Sequence, residues 1–270
     1  MKKTITTNLT GIDIKAKIME AVKDGIKIYE EECGRQTKFK EPLVGYANTS
    51  DPLFEMFFEH GLCKLPRKCY NPARAIIVFF LPYTDEVVES NRQSGEPSPE
   101  WIQAYHDSTW AIMKVHASIQ ALFNKYGRLS SLCNTPIDWN HKKGAPEWNF
   151  KMAAYVAGLG EVGPAGSIMT EAGPAGRFGA ILTDVNLVPD KDYGFTNRDG
   201  AGLTPEMDAE FEKYMKASGY AGPCDEALIA ACPGKAISPD GIDRKACQEY
   251  CMKIFKHVPT PDICGKCYKL

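Results

Sequence analysis

Apolar residues in the first third of the chain recur in two different patterns. Ile14, Ile18, Val22, Ile26 and Tyr29 follow one another at intervals of four, four, four and three. That spacing puts them on one face of a helix, and Gly34 is placed to end it. Residues Ala75 to Leu81 are instead apolar without a break, between Pro72 and Pro82. An uninterrupted run of this length predicts a strand covered on both faces.

Further along, ESNRQSGEPSP reads as a loop. Ser98 then caps a helix with Pro99 in its first turn, and Trp101, Tyr105, Ile112, His116, Ile119, Phe123 and Tyr126 line one face as far as Gly127. Arg128 to Cys133 suggests a short strand, and the polar stretch from Asn134 to Asn149 a loop. FKMAAYVAGLG predicts a helix ending at Gly158. The next stretch, EVGPAGSIMTEAGPAGRFG, is rich in glycine and proline, and AILTDVNL predicts a second buried strand. KDYGFTNRDGAG reads as a linker. A helix opens at Thr204 and Pro205 and runs to about Ala217, and a cysteine-rich tail begins at Gly219.

Of the 270 residues, 44% are hydrophobic, enough for a sizeable core. No apolar run approaches the roughly 18 residues of a membrane span, and no apolar segment follows the two N-terminal lysines. A cytoplasmic protein is expected. The formal net charge of −2 shows no basic surplus, so nucleic acid is not expected as a partner.

Ten cysteines change the picture. In a reducing compartment they are not expected to form a disulfide set. Six of them, Cys224, Cys232, Cys247, Cys251, Cys264 and Cys267, crowd into the tail, which points to a metal centre. A cysteine followed by proline is the ligand that, in two-cluster ferredoxins, serves a cluster fed by distant cysteines. Cys232-Pro233 therefore needs partners further along, and Cys247, Cys264 and Cys267 supply them for one [4Fe–4S] cluster. The alternative is zinc on Cys247, Cys251, Cys264 and Cys267, two spaced pairs of thiolates. That alternative leaves CPGKAI without a role. Cys251, one helical turn after Cys247, is either a substitute ligand or a small buried apolar residue.

These motifs, in this order, resemble those of epoxyqueuosine reductases and, more distantly, reductive dehalogenases. The resemblance runs from about residue 70 to the end. PARAIIVFFLPY is similar to the family's first core strand, and AYHDSTWAIMKVHASIQALFNKYG to the helix that follows its Tyr-His signature. AGLGEVGPAGSIMTEAGPAGRFGAILTD resembles the glycine-rich cofactor loop and its strand. CPGKAI, DRKAC and CGKC match one cluster motif in sequence order.

The resemblance implies an α/β fold: a nitroreductase-like, corrinoid-binding core, with a mixed sheet flanked by helices, in residues 1–218, and a small ferredoxin-like iron–sulfur domain in 219–270. It implies cobalamin bound base-off. Gly158, Gly160, Gly163 and Gly166 would admit its close approach to the backbone, and Arg177 would add a charged contact. The cluster would supply single electrons to cobalt and should lie near the face that carries the glycine-rich loop. The family's C-x2-C-x2-C before the Cys-Pro motif is reduced here to Cys224 in GPCDEALIAACP, and no second Cys-Pro follows Cys267. One cluster rather than two is expected, fed by an external donor of ferredoxin or flavodoxin type. Where the family has a catalytic aspartate, CNTPID has Asn134, with Asp138 four residues on. Tyr105 and His106 are the other candidate proton donors. The expected activity is a cobalamin-dependent reduction of a small molecule, or of another corrinoid protein. The alternatives are a non-catalytic corrinoid or electron carrier and a zinc-stapled binding protein.

Overall fold

The computed structural model describes residues 13–133, 148–195, 203–219, 224–254 and 263–268, and the backbone of 139–140 and 145–146. Helix α1 (Ile14–Glu32) starts where the Asp13 carboxylate accepts the N–H of Ala16 at 3.1 Å, a side-chain N-cap. Strand β1 (Leu43–Asn48) follows, then α2 (Pro52–Glu59) and the single turn α3 (Pro66–Cys69). Strand β2 (Ala75–Pro82) is buried at every position, in accord with its unbroken apolar run. Helix α4 (Asp85–Gln93) includes the first five residues of the stretch expected to be a loop. Its sequence is polar because most of its surface meets solvent, so no apolar period announces it.

Helix α5 (Pro99–Lys125) is capped by Ser98, as the sequence implies. At 27 residues it is about 40 Å long. Strand β3 (Ser130–Leu132) and the two-residue pair β4 (Trp139–Asn140) and β5 (Ala145–Pro146) precede α6 (Phe150–Val156). A small hairpin, β6 (Glu161–Val162) and β7 (Ile168–Met169), then leads to β8 (Gly176–Thr183). Strand β8 begins four residues before the expected start at Ala180. After α7 (Pro205–Ala217), the tail folds as α8 (Glu226–Ala231), β9 (Ile237–Ser238), β10 (Gly241–Ile242) and α9 (Arg244–Ile254).

The main sheet has the order β1-β2-β8-β3. All three of its pairings are antiparallel, which corrects the expectation of a mixed sheet. The reason is topological: β8 slots between β2 and β3 and runs against both. Alternate residues of β2 serve opposite cores. Ile77, Phe79 and Leu81 pack with Ile18, Val22, Val115 and Ile119 of α1 and α5. Ile76, Val78 and Phe80 pack with Phe54, Phe57, Met152, Tyr155 and Tyr214 from α2, α6 and α7. Each large side chain fully buried this way contributes about 1.5–3 kcal/mol. The result is a three-layer sandwich with helices on both faces of the sheet.

Helices α1 and α5 approach closely at Gly25, where a Cβ would lie 2.5 Å from Cα of Val115. This contact holds α5 in place, and the N-terminal turns of α5 carry the tail. Among the described residues no helix is long and apolar enough to cross a membrane.

Candidate iron–sulfur site and adjoining cleft

The tail cysteines sit on three short pieces of backbone, each fixed by its own hydrogen bonds. Helix α8 ends at Cys232, and the Lys235 N–H closes a turn on the Cys232 carbonyl at 3.1 Å. Lys235 takes a left-handed conformation, φ 51°. The next amide, Ala236 N–H, then donates to Cys232 Sγ at 3.3 Å. Ala236 and Ile237 are buried beneath this turn.

Cys247 lies in the first turn of α9. The Asp243 carboxylate fixes that turn by accepting the N–H groups of Lys245 and Ala246 at 2.9 and 3.0 Å. Cys251, one turn on, is fully buried and packs with Tyr105 and Ile263. Cys224 is half-buried against the Gly219 carbonyl.

The third piece, residues 263–268, is seated on α4 and α5. The Trp101 indole N–H donates to the Ile263 carbonyl at 2.6 Å. Asn91 Nδ2 donates to the Cys264 carbonyl at 3.3 Å. The Lys266 ammonium donates to the Asn91 and Ser94 carbonyls at the end of α4. Gly265, at φ +64°, presses on the Trp101 ring, where a Cβ would stand 2.6 Å from Cε2.

These three pieces bring the four cysteines of the sequence argument into mutual electrostatic range. Burial pushes the Cys267 thiol up to about 12. Cys264, Cys247 and Cys232 push in the same direction, and Lys151 opposes them. Burial likewise pushes Cys264 up to about 11, eased by the Lys266 backbone N–H and raised further by Cys247 and Cys232. Cys251 is raised first by its hydrogen bond with Cys247 and then by burial. Among the described residues no three His, Cys, Asp or Glu side chains are gathered around the position of one metal ion.

The donor set fits a [4Fe–4S] cluster. Four thiols come from three separate segments, two of them receive backbone N–H groups, and the surroundings are apolar. Cysteine sulfurs and N–H···S contacts are what such clusters use. Iron would remove the protons that burial now favours.

Beside residues 263–268 lies a cleft of about 70 Å³, room for on the order of five waters. Tyr83, Trp101, Tyr105, Phe150, Phe178 and Tyr268 supply its aromatic walls. Lys151 and Arg177 are the charged residues of its lining among the described residues. The Arg177 guanidinium stacks 3.8 Å above the Tyr105 ring and reaches the Tyr105 carbonyl at 3.5 Å. Lys151 lies over the Tyr268 ring at 5.2 Å and also acts on Cys267. Ser167, Ile168, Pro174 and Gly176 complete the wall. The end of the glycine-rich segment and the tail therefore share one cleft.

Of the residues singled out in the sequence, the cleft unites Tyr105 and Arg177. His106, the next residue on α5, is half-buried and outside the lining. Asp138 lies outside the described residues. Gly158, Gly160, Gly163 and Gly166 do not line the cleft. A Cβ on Gly160 would meet the Met169 backbone at 2.7 Å, one on Gly163 the Met169 side chain at 2.7 Å, and one on Gly158 the Lys191 side chain at 2.9 Å. The missing side chains of Gly158, Gly160 and Gly163 are accounted for by the chain's own β6–β7 hairpin and the neighbouring loop at Lys191. The cleft and these glycines, as described, do not fit a corrinoid: ligand pockets for drug-sized molecules already need ~300–1,000 Å³, and no glycine-backed cradle faces the cleft. Sequence reasoning missed Lys151, Phe178 and Tyr268. No motif marks them, because five separate segments assemble the cleft.

No protein-family model matches the chain, and no curated protein matches it in sequence. Solved structures do. The epoxyqueuosine reductase of Streptococcus thermophilus superposes with a TM-score of 0.50 at 15% identity, covering 95% of this chain and 65% of that one. An epoxyqueuosine reductase in complex with an epoxyqueuosine-modified tRNA-Tyr stem loop gives 0.49 at 15% identity, covering 89% and 57%. The Bacillus subtilis epoxyqueuosine reductase, with its catalytic loop swung out of the active site, gives 0.45 at 15%, covering 87% and 58%. The structural neighbours are thus epoxyqueuosine reductases, and the chain spans a little under two thirds of their length. At this identity the likeness is one of fold.

Proposed function

We propose that the chain is an iron–sulfur reductase in which Cys232, Cys247, Cys264 and Cys267 hold one [4Fe–4S] cluster beside the cleft that binds the acceptor. Residues 219–270 form its electron-input unit and residues 1–218 its acceptor-binding unit. The observation that carries this reading is Lys151, whose ammonium lines the cleft and also acts on Cys267. A cluster at these cysteines supplies single electrons. An external donor of ferredoxin or flavodoxin type provides them.

The rest follows from the chain's own side chains. Lys151 and Arg177, with no acid among the described lining residues, select an anionic acceptor. The aromatic walls select a planar one, and they exclude water when it is bound, which strengthens both charge contacts. Stacking on Tyr105 holds the Arg177 guanidinium in one orientation. The Tyr105 phenol, in the same wall, is the proton source for an acceptor that has gained electron density. A volume near five waters favours a small molecule over a nucleotide in folded RNA, in line with the net charge of −2. The corrinoid that the resemblance implies enters no step.

The test is anaerobic purification followed by iron, sulfide and zinc analysis. Reoxidation of the dithionite-reduced protein is then followed by small planar anions, by hydroxocobalamin and by an RNA stem loop. The expected result is about four iron and four sulfide per chain, with reoxidation by an anion that slows at least tenfold in Arg177→Gln. Zinc without sulfide would replace this reading with a structural staple. Reoxidation by hydroxocobalamin or RNA alone would overturn the choice of acceptor. A reducible cluster that no acceptor reoxidises would leave an electron carrier.

A further inference from the structure

Tyr250 lies on α9 between Cys247 and Cys251, yet neither the thiols nor the cleft needs it. Its side chain rests on the Cys232 turn: a Cβ on Gly234 would stand 2.7 Å from Cβ and Cγ of Tyr250, so the glycine is what lets the ring settle there. The ring also packs against the buried cluster of Tyr105, Cys251 and Ile263, on which Cys247 and Cys264 pack too. The phenolic oxygen is shielded from solvent and has no hydrogen-bond partner among the described residues. Cys264, Cys251 and Cys232 all lie within its electrostatic reach, as does the Glu96 carboxylate.

A buried hydroxyl left without a partner costs about 1–3 kcal/mol. Here the hydroxyl belongs to a side chain held on one side by the turn of Cys232 and on another by the cluster around Cys251, with Cys232 and Cys264, two of the four proposed cluster ligands, in electrostatic reach. A cluster sulfur between those ligands is the acceptor that would satisfy it. We propose that the Tyr250 O–H donates a hydrogen bond to a sulfur of the [4Fe–4S] cluster and thereby sets its reduction potential. This rests on the cluster reading of the preceding subsection.

Reduction adds one electron, and the added charge resides partly on sulfur. A donor hydrogen bond therefore stabilises the reduced form more than the oxidised form and raises the potential. Tyr250 is in this respect a positioning residue. It touches neither the acceptor nor the cleft, and it is distinct from the backbone donors of Ala236 and Lys266.

The experiment is a potentiometric titration of the full chain and of Tyr250→Phe, each loaded with iron and sulfide and read by electron paramagnetic resonance of the reduced cluster. The expected result is a more negative midpoint in Tyr250→Phe. At a fixed potential the reduced-to-oxidised ratio should fall roughly tenfold, about 59 mV for a one-electron couple. The midpoint belongs to the loaded fraction, so partial loading of the variant leaves the reading valid. Gly234→Ala, which displaces the ring but keeps the hydroxyl, should shift the midpoint in the same direction. Unchanged midpoints in both variants, with iron and sulfide present, would overturn the role of Tyr250 and leave the cluster standing. A parent protein that takes up no iron and sulfide would overturn both.

Discussion

Replacing Gly265 by alanine adds one methyl group between Cys264 and Cys267, two of the proposed cluster ligands. Two costs follow. The residue sits at φ +64°, where a side chain costs roughly 1–2 kcal/mol. The new Cβ would also stand 2.6 Å from Cε2 of Trp101, an overpacking worth about 1–3 kcal/mol. The indole has little room to retreat. It is 2% exposed, edge-on to Tyr83 at 5.1 Å, and tied through its N–H to the Ile263 carbonyl. The sum of about 2–5 kcal/mol therefore falls on seating of residues 263–268, on the order of thirtyfold at the lower end. The two cores around β2 do not include Gly265, so the loss is local. Iron and sulfide per chain should drop sharply, while the main thermal transition in circular dichroism stays in place. Full loading of Gly265→Ala would refute the claim that Trp101 is the seat of the turn.

His116 gives a pH dependence with a definite sign. Burial against Phe79 lowers its pKa from 6.5 to about 4. The unfolded chain thus binds a proton between those values and the folded chain does not. Stability is full above about pH 6.5 and declines toward pH 4, by about 3 kcal/mol for this one group. Urea midpoints at pH 7 and 4.5 should differ less in His116→Leu than in the parent; equal slopes would contradict the assignment. Gly25→Ala tests the helix crossing. In an exposed helix the change stabilises by about 1 kcal/mol, but here the methyl meets backbone of Val115, so a lower melting temperature is expected. A higher one would mean that α1 and α5 have slack.

The sequence announces an element wherever one face of it is apolar and the other is not, or where both are covered. That is why α1, α5, α7 and β2 are legible. It is silent on β1, α2 and α3, whose apolar residues show no clean period in a stretch rich in turns. It misplaces β8 because Gly176 and Gly179 are poor strand formers. Gly179 is tolerated, and needed, because the ring of Phe79 on the neighbouring strand occupies the space of its side chain. In the tail, the Cys-Pro turn and the two later motifs already suggest the proposed thiol set, since ligand spacing is a local property. The cleft is not local. It joins Tyr83, α5, α6, residues 167–178 and Tyr268, and only the tertiary structure says that Arg177 meets Tyr105 or that Gly160 and Gly163 face their own hairpin.

The seat for residues 263–268 has a bearing on how the protein would mature. Trp101, Asn91 and Ser94 owe their places to α4 and α5, and α5 is anchored to the sheet by a core that contains none of the four ligand cysteines. Small zinc domains need their metal in order to fold at all. Here the berth for residues 263–268 is built by the body of the chain, so loading of the proposed cluster would be a docking event on a finished surface. Insertion and loss of iron should then proceed as reversible traffic through one short segment, at rates set by the release of Lys266 and Trp101 and independent of the stability of the sheet.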